Sequence, residues 1–151
     1  MNQKGGPLDE EELAAWQGML SLHARVLRDL DKDLTARHHL PVRSFDVLIT
    51  LFNAPEYRLR MSDLANRVML SPSGLTRLVE RLERDRLIER QVDTSDARSF
   101  QAVLTDSGRE RLDEARESHD AVIRDRFTGR LSPEQLRQLG AIWSRVLTEE
   151  G

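Results

Sequence analysis

Two apolar stripes of helical spacing stand almost end to end between Met61 and Arg84, and their closeness constrains the fold more than any other feature. Met61, Leu64, Ala65 and Val68 line one face of a short helix in "MSDLANRV". Leu75, Leu78, Val79 and Leu82 line one face of a second in "SPSGLTRLVERLER". Ser71 followed by Pro72 marks the start of that second helix. The hydroxyl caps free N–H groups, and proline in the first turn has no N–H to leave unsatisfied. Two short helices joined by so few residues form a helix-turn-helix. On the second helix, Thr76, Arg77, Glu80, Arg81 and Arg84 face away from the stripe.

The next residues extend the motif. "LIERQV" and "SFQAVL" read as two short strands joined by polar "DTSDAR", with Phe100, Ala102 and Leu104 alternating toward one face. Helix, turn, helix and hairpin make a winged helix. Upstream, a long helix is expected from Asp9 to about Arg37, with Leu13, Trp16, Leu20, Leu27, Leu30 and Leu34 as its stripe. Pro41 stops it or restarts the chain, "VRSFDVLITLF" follows as a helix, and "NAPEY" reads as a loop. Downstream, Thr105 caps a helix running to about Phe127, and Ser132–Pro133 starts a last one carrying Leu136, Leu139, Ile142, Trp143 and Val146. The expected fold is mainly α with a small antiparallel β-wing. A winged helix-turn-helix lobe (41–104) is flanked by long helices (9–40 and 105–151) within a single domain spanning 1–151. The terminal stripes cannot all be buried inside one small domain, so they call for a partner.

Composition tests this reading. The net charge of −3 argues mildly against a nucleic-acid partner, but it averages two unlike parts. Tyr57–Leu104 holds nine arginines against seven acids, and the remainder holds 14 basic against 19 acidic residues. Arginines outnumber lysines 21 to 2, and the planar guanidinium fork suits phosphate and guanine edges. There is no cysteine, hence no disulfide, thiolate metal site or thiol switch. The opening "MNQKGGPLDEEE" lacks the apolar core of a signal peptide. No apolar run approaches the roughly 20 residues of a membrane span. A cytoplasmic chain without a membrane partner is expected. No nucleophile–base pair, phosphate-cradling glycine loop or paired carboxylate site is present, so neither an enzyme nor a cofactor is expected.

Two groups of residues carry the functional reading. Ser71, Ser73, Thr76, Arg77 and Arg81 would face a major groove from the second helix of the motif. Small Ser73, Gly74 and Thr76 let the backbone approach and offer hydroxyls to phosphate or a methyl to thymine, while Arg77 can fork onto guanine. Glu80 would repel phosphate and belongs off the contact surface. The plainer alternative is a solvated amphipathic helix with a Glu80–Arg84 ion pair. In the hairpin, Arg98 could enter a narrow minor groove, with Asp96 bracing the loop or the guanidinium. A polar turn charged only for solubility would look the same taken alone.

The stretch "LSPSGLTRLVERLERDRLIERQVDTSDARSFQAVLTDSG" resembles the signature of the multiple-antibiotic-resistance regulator (MarR) family. Leu82–Glu83 with Leu87, the wing triplet Asp96–Ala97–Arg98, and Leu104–Thr105 with Gly108 stand where that pattern has its helix exit, wing and helix entry. Arg86 departs from it, occupying the usual glycine position before Leu87, so the helix end there must be made by a costlier left-handed residue or be reshaped. The resemblance implies a homodimer interlocked through its terminal helices, with Leu13, Trp16, Leu20, Leu136, Leu139 and Trp143 in the interface. It also implies a palindromic operator in double-stranded DNA, and often a small phenolic or other anionic effector. Effector candidates are Trp16, His23, Arg43 and Asp46. Trp16 and Asp46 resemble positions used in urate-responsive members. Each has a plainer reading: Trp16 as core, His23 as a packed or half-exposed side chain, Asp46 as a surface charge. Some relatives sense zinc, but adjacent His38 and His39 point apart and have no supporting ligand pair, so no metal is expected. The expected function is a homodimeric transcriptional regulator, a repressor released by a small effector. The alternative is a winged-helix module that binds acidic proteins.

Overall fold

Capping chemistry sets most of the helix boundaries. A computed structural model describes residues 6–148. Residues 1–5, at the head of the segment tested for a signal peptide, and 149–151, the end of the expected terminal helix region, lie outside them. Six helices are α1 Glu10–His38, α2 Val42–Phe52, α3 Met61–Val68, α4 Pro72–Arg84, α5 Asp106–Arg126 and α6 Pro133–Leu147. Three strands are β1 Arg58–Arg60, β2 Ile88–Val92 and β3 Phe100–Leu104. Ser71 caps α4 by accepting the Gly74 N–H at 3.1 Å. Ser132 forms a reciprocal capping box with Gln135 at the start of α6. Thr105 caps α5 through the Gly108 N–H at 3.0 Å.

The chain divides into two units, 31–120 and the two ends together, 1–30 with 121–151. The first holds the winged helix. Its core joins Leu34, Leu40, Phe45, Val47, Leu48, Leu51, Leu64, Leu75, Val79, Leu82, Ile88 and Leu112. The sheet order is β1–β3–β2, all antiparallel, with Leu59 opposite Ala102 and Arg90 also opposite Ala102. The helix-turn-helix, the hairpin and its polar loop fall where the sequence puts them.

Two expectations need correction, and the Pro41 alternative is resolved. "NAPEY" is not a plain loop: Pro55–Tyr57 is a short 3-10 turn that leads into β1, an edge strand too short for alternation to reveal. Phe100 does not join Ala102 and Leu104 in the core. It is exposed near the outer end of β3, where the Arg90 guanidinium lies over its ring, 5.8 Å from the centroid. Of its two possible roles, Pro41 restarts the chain as the residue that caps α2 and does not stop α1. The helix already ends with His39 at φ 51° and the Leu40 N–H bonded to the Leu34 carbonyl at 3.3 Å, a left-handed closure of the Schellman kind.

Arg86 adopts the left-handed conformation that its position demands, with φ 60°. The Leu87 N–H returns to the Leu82 carbonyl at 2.9 Å and the Arg86 N–H to the Glu83 carbonyl at 3.0 Å. Thr105 locks this exit to the start of α5, since its hydroxyl donates to the Arg86 carbonyl at 2.7 Å. Gly108 belongs to the same joint. A Cβ there would stand 2.2 Å from the Leu87 carbonyl oxygen, so the glycine is a steric requirement.

The other unit comprises α1 up to Leu30, α5 from Ala121, and α6. Its only buried apolar side chain among the described residues is Leu30. No described helix is long and apolar enough to cross a membrane.

Candidate nucleic-acid interface

All seven residues assigned to DNA from sequence are exposed and lie in the winged-helix unit: Ser71, Ser73, Thr76, Arg77 and Arg81 at and along α4, Asp96 and Arg98 on the β2–β3 loop. Their chemistry is not uniform. The Thr76 hydroxyl donates to the Pro72 carbonyl at 2.9 Å. Its proton is therefore spent on the helix, and its methyl is what it offers a partner. The Ser71 oxygen is occupied by its cap, with the Ser73 hydroxyl 3.4 Å away. Glu80 is half-buried and makes no ion pair with Arg84.

The arginines sort into two classes. Arg60, Arg90, Arg109 and Arg116 each face a carboxylate. Arg77, Arg81 and Arg98 carry no ion pair or side-chain hydrogen bond among the described residues. An unpaired guanidinium on a rigid element keeps its full charge and all five donors for a partner. These three lie on the outward face of α4 and at the wing, where the motif would meet DNA, and they share the unpaired state with Arg67, Arg84 and Arg86 elsewhere in the unit.

Asp96 braces the loop, not the guanidinium. Its carboxylate accepts the Arg98 N–H and the Ser99 hydroxyl, each at 3.0 Å. The sequence reading missed a second brace, Asp93. It is buried beneath the loop and accepts the Ser95 N–H at 2.9 Å and the Ser95 hydroxyl at 2.8 Å. Its other oxygen meets the Arg60 Nε at 2.6 Å. The Ser95 hydrogen bonds, backbone first, and then the Arg60 charge hold its carboxyl below the ordinary aspartate range. A run of polar loop residues gives no sign that one carboxylate is buried, so only the fold reveals this one.

The effector candidates divide between the units. Trp16 is exposed on α1, contrary to its reading as core. His23 lines a mainly apolar groove of about 480 Å³ with Met19, Leu27, Phe127 and Trp143. Arg43 and Asp46 lie in the winged-helix unit near the start of α2. Burial pushes the Asp46 carboxyl up, against the opposing pull of Arg43 and His119, so Asp46 is not a simple surface charge. His119 stacks on Phe45 with centroids 4.3 Å apart. His38 meets the Ser118 hydroxyl at 2.8 Å. The described residues contain no group of three or more potential metal ligands. The proposed interface side chains Leu13, Trp16, Leu20 and Leu136 are exposed, and Leu139 and Trp143 partly so.

Comparison with known proteins agrees with this geometry. The family model described as "MarR family" matches residues 40–100. The transcriptional regulator PecS of Dickeya dadantii is 31% identical, over 92% of this chain and 83% of its own. The transcriptional repressor YetL of Bacillus subtilis is 33% identical over 52% of this chain and 47% of its own. Among solved structures, the MarR-family regulator Sco3205 of Streptomyces coelicolor, in complex with DNA, superposes with a TM-score of 0.87. It is 32% identical, covering 96% of this chain and 91% of that one.

Proposed function

The chain belongs to the MarR family of DNA-binding transcriptional regulators, and from that premise we propose that it acts as a cytoplasmic homodimer whose two winged helices read the halves of a palindromic operator. Occupancy represses the adjoining promoter, and a small phenolic or other anionic ligand releases it. The observation that carries the DNA part is the unpaired set Arg77, Arg81 and Arg98 on α4 and the wing. YetL is named a repressor and Sco3205 is described with DNA, which supports the same direction here. Family membership favours DNA over an acidic protein as the partner of these arginines.

In this reading Arg77 reads a base edge, Thr76 offers its methyl to thymine, and Ser73 and Arg81 hold phosphates. Arg98 enters the minor groove. The test is binding to the intergenic duplex beside the protein's own gene, compared with random duplex at low and physiological salt, with and without phenolic acids. Affinity should fall steeply with salt, because each neutralised phosphate releases condensed counterions. Footprints should be near-palindromic, with half-sites about 10 base pairs apart. Absence of duplex binding at low salt would overturn the DNA reading. Affinity unmoved by every phenolic acid would remove that class of effector.

A further inference from the structure

A concavity of about 360 Å³ opens between the recognition helix and the wing, and of its lining only Thr76 and Arg98 have a DNA contact assigned above. Its walls include Arg60 at the end of β1, Ser62 near the start of α3, Thr76 on α4, Arg90 on β2, and Arg98 with Ser99 on the loop. Three arginines converge there from three separate segments.

Each of the three is held differently. The Arg60 Nε faces the Asp93 carboxylate at 2.6 Å, and its Nη2 donates to the Ser95 hydroxyl at 2.5 Å. The Asp93 side chain is 2% exposed, whereas that of Arg60 is 50% exposed. The acid is thus hidden beneath the wing and the guanidinium is left half in the open. Arg90 is fixed by Glu83, its Nη2 3.2 Å from the carboxylate. Arg98 is unpaired. The two acids offset two of the three cations, so the cluster carries a surplus of one positive charge, which matches a single phosphodiester better than a free phosphate dianion. A guanidinium fixed before binding loses little side-chain freedom on contact, and charge-assisted hydrogen bonds to phosphate are among the stronger ones.

We propose that this concavity seats one phosphodiester of the DNA backbone beside the minor groove that Arg98 enters, with Arg60 its fixed contact, Arg98 supplying the surplus charge as it passes, and Asp93 a positioning residue that aims Arg60. The proposal rests on the DNA-binding reading and adds to it a backbone clamp between the recognition helix and the wing. The seat carries no base readout. It sets the register in which Arg77 meets a base edge, since backbone contacts position and base contacts specify.

The test is the salt dependence of duplex affinity. The double variant Arg60→Ala/Asp93→Asn removes the contact without stranding a buried carboxylate. It removes a neutral pair, so it should weaken operator and random duplex by the same factor with the salt slope little changed, whereas Arg98→Ala, which removes the surplus charge, should lower the slope by about one per subunit. Asp93→Asn alone separates aiming from charge. Deleting a negative charge beside phosphate should tighten binding if only net charge mattered. Loss of aim should weaken it, and weakening is the expected result. Arg60→Lys should keep the slope and lose affinity.

Wild-type affinity in the double variant, on a duplex that Arg98→Ala still weakens, would overturn the seat and leave the DNA reading standing. Failure of the wild type to bind any duplex would overturn both. Inorganic phosphate titrated at constant ionic strength provides the last arm. Micromolar binding that shifts the Arg60 Nε–H resonance, with no change of duplex affinity in the double variant, would assign the site to a free anion instead.

Discussion

Arg86 sits at φ 60° where a glycine would be free of strain, and its side chain has no partner among the described residues. A non-glycine residue in that conformation costs about 1 kcal/mol or more. Arg86→Gly should therefore raise the urea midpoint by an amount worth about 1 kcal/mol, with an unchanged slope. A lower midpoint would mean that the guanidinium contributes something stabilising. Arg86 was legible in the sequence because a motif position made it conspicuous. Glu56 and Tyr57, at φ 53° and 58°, were not. Nothing in "NAPEY" requests that conformation. The Tyr57 ring lies tilted against Phe52, centroids 5.8 Å apart, with the Arg109 guanidinium over its face, so packing from elsewhere in the chain accompanies the turn. Asp93 and Asp46 were hidden for the same reason, and they should titrate in opposite senses. The lowered Asp93 group stabilises the fold above the ordinary value of 3.8, and this is lost as pH falls through its lower folded value. The raised Asp46 group does the reverse, its contribution declining as pH rises through 3.8 toward its folded value. Carboxyl carbon shifts measured by NMR against pH should show the two midpoints on either side of 3.8. Midpoints in the other order would contradict both environments.

At the scale of elements, α4 does two jobs with one sequence. Its inward stripe of Leu75, Leu78, Val79 and Leu82 is buried, which holds the outward arginines on a rigid support. Periodicity of 3.6 residues made both faces legible, and the Ser71–Pro72 start fixed the boundary to the residue. The hydroxyls were less legible. A sequence does not say whether Thr76 donates to its own helix or outward, and here it donates inward to Pro72. Arg77→Ala should thus cost discrimination between operator and random duplex by about 1–3 kcal/mol. Ser73→Ala should weaken both alike. Equal loss on both duplexes for Arg77→Ala would make its role electrostatic. The edge strand β1 was the least legible element, for an equally physical reason. Three residues cannot show a two-residue period, and Arg58–Arg60 becomes a strand only because β3 offers Gln101–Val103 as a partner edge.

At the scale of the whole molecule, the distribution of burial argues for a second copy. The winged-helix unit holds the core, whereas α6 has no buried residue at all. Ile142 is 52% exposed and Val146 66% exposed, one turn apart. The stripe was legible from spacing alone, but its cover was not, because one chain's sequence does not state which surface will meet it. Apolar side chains left open along a capped, well-formed helix favour association, at roughly 25 cal/mol per Å² of apolar area removed from water. A C2 dimer would satisfy both copies with one interface and double the phosphate contacts. The pair Ile142→Glu/Val146→Glu tests this cleanly. Both side chains already face water in the single chain, so glutamates there should leave the monomer's fold and far-ultraviolet dichroism intact. Buried against a partner, the same charges would be costly. Light scattering should give twice the 17.4 kDa chain mass for the wild type and the single mass for the variant. With one lobe left on the duplex, the salt slope should fall to about half. A variant that still scatters as a dimer would place the interface elsewhere, and a wild type that scatters as a monomer would remove the dimer from the proposal.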